Sequence, residues 1–206
     1  MSYIETYSGD KFFAIAEDLD GINIDDIAKA LSHTNRYNGH TELPYSVAEH
    51  SIHVASLLPP ELQLMGLLHD ASEAYIADIP SPFKPLIHGY EELEDHIMNR
   101  VWRKFGIPLE LVEERYAEVK HADILMLCAE ARNVKKSKGE LFNDVFKPYF
   151  EKVEQDERLK DMPYHISPAI ACGLFKKIFR MISEGKFLEG PFLRHEDMVK
   201  FLMVRG

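Results

Sequence analysis

Two histidines and two aspartates in this chain have the residue types and the order of a metal site. His50 stands alone, His69 and Asp70 are adjacent, and Asp123 follows later in the chain. The adjacent pair is flanked by apolar residues, where imidazole and carboxylate groups are costly to bury unless a cation or hydrogen bonds compensate. Two imidazoles and two carboxylates suit a divalent Co, Mn, Fe or Zn ion, and Mg is also compatible. The pattern predicts a metal site with open coordination positions for water and substrate, as metal-assisted hydrolysis requires.

Two further carboxylates follow the adjacent pair. Glu73 lies four residues after His69 and three after Asp70, so a continuous helix would place all three on one face. Asp78 lies where a proline-containing segment must end that helix. Carboxylates that are not needed to hold the metal could supply general acid–base catalysis. The alternatives are a solvated surface glutamate at Glu73 and a turn residue at Asp78.

The combination of these motifs resembles the HD-domain phosphohydrolases. The segments SVAEHSIHVA and LLHDASEAYIADIPSPFK are similar to those of bacterial and phage HD-domain 5′-deoxynucleotidases. The resemblance extends from about residue 3 to about residue 132 and implies an all-helical fold with a metal ion between helices. The metal ligands that it implies are His50, His69, Asp70 and Asp123, and the catalytic residues that it implies are Glu73 and Asp78.

The same resemblance implies a set of substrate-binding residues. Arg36 would bind phosphate, and Tyr37, which stands where some members have tryptophan, would contact the nucleoside. Lys84 would neutralise phosphate charge, and His40 would contact a phosphate or a second ion. Without the resemblance, Arg36 and Lys84 are equally well interpreted as solvated surface charges.

The leading hypothesis is a 5′-deoxynucleotidase that hydrolyses deoxynucleoside monophosphates to deoxynucleoside and phosphate. The nearest alternative is a triphosphohydrolase that releases tripolyphosphate from a deoxynucleoside triphosphate such as dATP, with the same metal ligands. An alternative from another class is a catalytically degenerate HD scaffold that only binds nucleotides. The resemblance also implies a homodimer or a larger homo-oligomer.

The elements that position these residues are predicted to be almost entirely helical. A small β-hairpin is expected around residues 3–15, and prolines exclude a helix interior from 77–89. We expect one all-α domain over 1–206, with a core at about 20–136 and a helical extension at about 137–206. Hydrophobic spacing and capping signals predict helices at about 24–32, 46–58, 61–76, 90–105, 109–136, 142–150, 167–183 and 195–203.

Two sets of residues on these helices are assigned structural roles. Glu130 and Arg132 follow Asp123 on the same predicted helix and are interpreted as a structural pair. The phenylalanines from Phe142 to Phe150 recur at helical spacing. They are interpreted as core or oligomer contacts rather than as a surface for base stacking.

The composition excludes several classes of protein. The net charge is −10, which argues against binding of a nucleic acid polymer because such binders carry a basic surface. The two cysteines lack metal-binding or redox spacing and are expected to be reduced thiols. No signal peptide and no apolar stretch of about 20 residues is present. We therefore expect a cytoplasmic protein that does not enter the membrane.

Overall fold

A computed structural model of the chain describes residues 2–160, 162, 165–190 and 195–203. This described part is mainly helical and confirms the all-α prediction. Parts of the predicted C-terminal extension, at 161, 163–164, 191–194 and 204–206, lie outside the described residues. None of the described helices is long and apolar enough to cross a membrane.

The predicted N-terminal hairpin is present and very short. Strands β1 (Ile4–Glu5) and β2 (Lys11–Phe12) pair in antiparallel register. The buried Phe12 ring stacks on the Tyr75 ring, with 4.0 Å between the ring centroids. This contact fixes the hairpin against the helical part of the chain.

The helices begin close to the positions that capping signals predicted. Asn23, Ser46 and Ser167 each accept a hydrogen bond from a backbone N–H in the first turn of the helix that follows. Short 3₁₀ turns connect several helices, at Arg36–Gly39, Pro60–Leu62, Lys84–Leu86 and Asp144–Phe146. The helices are α1 (Ile24–His33), α2 (Val47–Ser56), α3 (Gln63–Leu68), α4 (Glu73–Ile76), α5 (Tyr90–Lys104), α6 (Leu109–Val134), α7 (Lys147–Gln155), α8 (Glu157–Lys160), α9 (Pro168–Ser183) and α10 (His195–Met203).

The prediction of one continuous helix over 61–76 is wrong. The chain leaves α3 after Leu68, passes through a turn at 69–72, and resumes as α4 at Glu73. In this turn the backbone hydrogen bonds tighten to a spacing of three residues, as from Ala71 N to Leu68 O at 2.9 Å and from Glu73 N to Asp70 O at 3.0 Å. An irregular turn, rather than the middle of a helix, therefore carries His69 and Asp70.

The predicted short helix at 142–150 is also displaced. A 3₁₀ turn occupies Asp144–Phe146, and α7 runs from Lys147 to Gln155. The Asn143 side chain accepts a hydrogen bond from Val145 N at 3.2 Å, which favours the turn. Pro148 stands in the first turn of α7, where a missing N–H has no cost.

Helix α2 lies at the centre of the protein. All of its residues are buried, and it packs against α1, α3, α6 and α9. Its polar side chains are therefore enclosed by protein, and Ser51 and Ser56 donate hydrogen bonds to the helix's own carbonyls. His50 occupies this central helix, so its imidazole is shielded from solvent on all sides.

Gly66 allows α3 to pack closely against α2. A Cβ atom at this position would lie 2.3 Å from Leu58 Cδ1 and 3.2 Å from Ala55 Cα. We expect Gly66→Ala to lower the free energy of unfolding by about 1–3 kcal/mol, because overpacking outweighs the better helix propensity of alanine. Urea denaturation followed by circular dichroism measures this change.

Gly173→Ala in α9 is the matched control for this prediction. Its new Cβ would meet the Leu202 Cδ1 atom at 3.1 Å, and that flexible side-chain end can shift. The control is expected to be as stable as the wild-type protein or slightly more stable. A Gly66→Ala variant with the same behaviour would contradict the tight crossing of α2 and α3.

Candidate metal centre

Three side chains from separate parts of the chain converge on one point between the helices. They are His50 on α2, His69 in the turn after α3, and Asp123 on α6, and one ligand atom of each lies within 4.8 Å of the others. His50 Nε2 lies 3.3 Å from His69 Nε2 and 3.2 Å from Asp123 Oδ1. This group could hold a metal ion, as the sequence predicted.

The distances and tautomers of this group fit a divalent ion. Donor atoms at about 2.1 Å from a metal are roughly 3.0–3.4 Å from each other, which matches the observed separations. His50 Nδ1 lies 2.5 Å from Glu130 Oε1, and His69 Nδ1 lies 2.7 Å from Gly66 O. Because both Nδ1 atoms have an acceptor, both Nε2 lone pairs can face the same ion.

Asp70 lies at the edge of the three-residue group. Its Oδ2 atom is 3.2 Å from His69 Nε2 and 3.6 Å from His50 Nε2. The same oxygen is 3.6 Å from Arg36 Nη1. Asp70 is thus near enough to complete a set of two imidazoles and two carboxylates. It also forms an ion pair with Arg36.

Glu130 lies behind the candidate metal group and contacts His50, a role that was not predicted from the sequence. Its carboxylate is fully buried and accepts hydrogen bonds from Tyr37 Oη, from Tyr45 Oη at 2.9 Å and from Arg36 Nε at 3.1 Å, beside its contact with His50. The interpretation of Glu130 and Arg132 as a pair is wrong. Arg132 forms its ion pair with Glu154 instead.

A sequence signal for Glu130 existed. It is the one charged residue in an apolar run of α6, and it follows Asp123 by seven residues, which is two helical turns. Residues at this spacing share one face of a helix. The side chain that holds His50 and the side chain that completes the metal group thus come from the same face of α6.

The electrostatics of the cluster favour charged carboxylates. Although burial disfavours the charged form, Arg36 and His50 lower the pKa of Glu130 to about 2. Burial likewise opposes ionisation of Asp123, but the hydrogen bond and charge of His50 hold its pKa well below the usual range. Burial and Arg36 lower the pKa of His50, yet Glu130 and Asp123 together raise it to about 9. A positive charge is therefore strongly stabilised between these two carboxylates.

A cleft of about 440 Å³ opens beside the metal group, which is within the size range of small-molecule sites. It brings together most of the predicted substrate-binding and catalytic residues, while the exposed His40 is not among those that line it. The predicted site residues that line it are Arg36, Tyr37, Asp70, Glu73, Asp78, Lys84 and Asp123.

Glu73 and Asp78 are unusually basic carboxylates within this cleft. Burial, reinforced by Asp70 and Asp78, raises the pKa of Glu73 well above its usual range. Burial also raises the pKa of Asp78, with Asp70 acting in the same direction. Glu73 Oε2 is buried and has no hydrogen-bond partner among the described residues. Both carboxylates can therefore bind a proton more readily than ordinary ones.

The backbone is strained next to Asp78 and next to Arg36. Ala77 has φ 67° and ψ 161°, a region that residues other than glycine avoid, and it directly precedes Asp78. Tyr37 has φ 57° in the turn that also carries Arg36. A hydrogen bond from Arg36 N to Tyr45 O at 2.9 Å holds this turn beside the start of α2.

The cationic side chains of the cleft are all engaged by carboxylates. Arg36 contacts Glu130 and Asp70, and Lys84 Nζ lies 2.8 Å from Glu94 Oε1. Lys120, which the sequence analysis did not single out, lies 2.6 Å from Asp123 Oδ2. Lys120 precedes Asp123 by three residues on α6, and this spacing could have predicted their ion pair from the sequence.

Tyr37 lines the cleft in a different manner from the one expected. Its hydroxyl group donates to Glu130, and Lys135 Nζ lies 3.9 Å from its ring centroid. The hydroxyl proton is therefore engaged by the carboxylate that contacts His50, and it is not free to bond a ligand.

The fold and the cluster together define an all-helical protein with a candidate metal centre in an interhelical cleft. No family model matches the chain. It is 36% identical over 184 residues to the uncharacterized protein YfdR of Escherichia coli (strain K12), an alignment that covers 89% of this chain and 97% of YfdR. An uncharacterized protein of Rhodobacter capsulatus is 37% identical over 123 residues, which cover 55% of this chain and 63% of that protein. The chain belongs to the family of YfdR.

Proposed function

We propose that the protein is a metal-dependent phosphohydrolase of the HD-domain type that hydrolyses deoxynucleoside monophosphates. The observation that carries this proposal is the convergence of His50, His69 and Asp123 beside a cleft that also holds Glu73 and Asp78. The resemblance of the HD-containing segments to HD-domain 5′-deoxynucleotidases supports the choice of chemistry. The homo-oligomeric state and the cytoplasmic location inferred from the sequence remain predictions.

The residues of the site fall into two groups: those that would bind the metal ion and those that would take part in the hydrolysis. His50, His69, Asp70 and Asp123 would hold a divalent ion, which would polarise a phosphoryl oxygen and acidify water. Glu130 keeps the His50 ring oriented through its contact with Nδ1. This arrangement fixes the ligands before an ion arrives, so little of the binding free energy would be lost to ordering.

Glu73 and Asp78 are suited to move protons. Their raised pKa values mean that each holds a proton more readily than an ordinary carboxylate, so each could accept a proton from an attacking water and return it to a departing oxygen. Neither carboxylate belongs to the tight metal-binding group. Arg36 and Lys84 on the walls of the same cleft would stabilise the negative charge on the phosphoryl oxygens.

The charge of the cleft favours a monophosphate over a triphosphate. Among the described residues that line it, three are cationic (Arg36, Lys84 and Lys120) and four are carboxylates. One divalent ion would bring these seven side chains to a net charge of about +1, which a phosphate monoester of about −1.5 to −2 would offset with little excess. A triphosphate would place several more negative charges against the carboxylates. The triphosphohydrolase therefore remains the second candidate.

Product analysis tests this proposal. Protein stripped of metal and reloaded with Mn²⁺ or Co²⁺ is offered dNMPs and dNTPs separately, and products are separated by ion chromatography. We expect orthophosphate from dNMPs, and a loss of roughly 10²–10⁴-fold in rate for Asp78→Asn with unchanged Mn²⁺ binding. Tripolyphosphate from a dNTP would instead establish the second candidate, and no metal-dependent product would leave a nucleotide-binding scaffold.

A further inference from the structure

An apolar wall lines the same cleft as the metal-binding aspartates. It consists of Ile124 and Leu127 on α6 and of Phe142 and Phe146 in the segment before α7. Both phenylalanines are only partly buried, so their rings are accessible from the cleft. Phe146 and Phe150 also pack against the hydrophobic core, as their interpretation as core contacts predicted, and the cleft-facing surface of Phe142 and Phe146 is an additional feature.

Neighbouring rings hold the apolar wall in place. The Phe142 ring lies 5.1 Å from Phe146 and 5.6 Å from Phe150, at interplanar angles of 84° and 88°. Phe150 belongs to α7, and the Arg132 guanidinium of α6 lies 5.4 Å from its ring centroid. Edge-to-face contacts of this kind fix the orientation of aromatic rings. The wall is therefore organised before a ligand binds.

The polarity of the cleft changes along α6. Lys120 and Asp123 line it first, and Ile124 and Leu127 line it one turn later. Seven residues of α-helix span about 10 Å, which is comparable with the length of a nucleotide from its phosphate to the far edge of its base. A ligand that lies along α6 would place an anionic group near Lys120 and Asp123 and an apolar group at the apolar wall.

We infer that the apolar wall binds the nucleobase of the substrate, with Phe142 and Phe146 as the residues that determine how tightly the base is held. This inference rests on the proposed function. The four side chains of the wall offer no hydrogen-bonding groups, so the wall recognises a flat ring by contact area and not by its pattern of donors and acceptors. A purine, with the larger ring system, is expected to bind more tightly than a pyrimidine by about tenfold or less.

The test compares a ligand that has a base with one that lacks it. Equilibrium dialysis measures binding of dAMP and of 2-deoxyribose 5-phosphate to Mn²⁺-loaded Asp78→Asn protein, a background chosen because its turnover is expected to be slow. Adding Phe146→Ala is expected to weaken dAMP binding about tenfold and to change 2-deoxyribose 5-phosphate binding less than twofold. Phe146→Leu, which keeps most of the apolar volume, is expected to give a smaller loss and guards against misfolding.

Leu141→Ala is the matched control, because Leu141 is in the same segment but is 87% exposed and does not line the cleft. It is expected to leave binding of both ligands unchanged. Equal weakening of both ligands by Phe146→Ala, or no effect on either, would overturn the inference. Base-dependent binding without any hydrolysis by the wild-type protein would contradict the proposed function alone and leave the apolar wall as a nucleobase site.

Discussion

Replacement of His69 by alanine is expected to weaken Mn²⁺ binding by more than 100-fold and to abolish metal-dependent activity. His69 Nε2 lies within 3.3 Å of both His50 Nε2 and Asp70 Oδ2, so its removal takes one donor from the centre of the group. Loss of a residue that only supports a ligand costs 10–100-fold in metal affinity, and loss of a ligand itself should cost more. Isothermal titration calorimetry with Mn²⁺ measures the change.

Thermal unfolding gives an independent measurement of the same prediction. An ion at 100 times its dissociation constant should stabilise the wild-type protein by about 2.7 kcal/mol, so EDTA should lower its Tm. The Tm of His69→Ala should not respond to Mn²⁺ or EDTA. The control is His121→Ala, because His121 is exposed on α6 and contacts Lys152 rather than the metal group. Wild-type Mn²⁺ affinity in His69→Ala would exclude this site.

Substitution of Glu130 by glutamine is expected to reduce both stability and metal affinity. The fully buried carboxylate is bonded by Arg36, Tyr37, Tyr45 and His50, so the change leaves a buried cation short of its counter-charge. Breaking a buried ion pair by removing one partner costs about 3–5 kcal/mol. Urea denaturation measures this loss. Mn²⁺ affinity should also fall about 10–100-fold, because a neutral amide is a weaker acceptor for His50 Nδ1–H and can present its NH₂ group to the ring instead.

A matched substitution on the same helix shows whether the loss of stability and Mn²⁺ affinity is specific to Glu130 or follows from replacing any glutamate of α6. Glu114 is exposed on α6, and Glu114→Gln should change stability by less than about 0.5 kcal/mol and leave Mn²⁺ binding unchanged. If Glu130→Gln kept wild-type stability, the carboxylate would not hold Arg36 and His50 as described. If it lost stability but kept metal affinity, its role would be confined to the fold.

The buried network around Glu130 explains how a cleft with many carboxylates can remain organised. Arg36 contacts Glu130 and Asp70 at once, and it therefore connects the support of His50 with the edge of the metal group. Lys120 and Lys84 balance Asp123 and Glu94 at the walls of the cleft. Each cation is near a carboxylate, so an incoming phosphate would meet cations whose positions are already fixed.

The sequence by itself determined the fold class and singled out the side chains of the candidate metal group. Hydrophobic periodicity and capping residues are local properties, so the starts of α1, α2, α5 and α6 were predictable within a residue or two. The order His50, His69, Asp70 and Asp123 was visible because few residue types bind metals and their apolar neighbours made them conspicuous. Both kinds of signal are properties of residue types and of their spacing along the chain.

Only the tertiary structure decided how these residues meet. Helix α3 packs closely against α2 at Gly66, and the contacts of Glu130 involve residues 80 to 94 positions away. The Phe142 and Phe146 rings face the cleft because α7 packs on α6, which helical spacing cannot reveal. Local patterns specify which faces are apolar, whereas the partner of each face is selected by packing among distant segments.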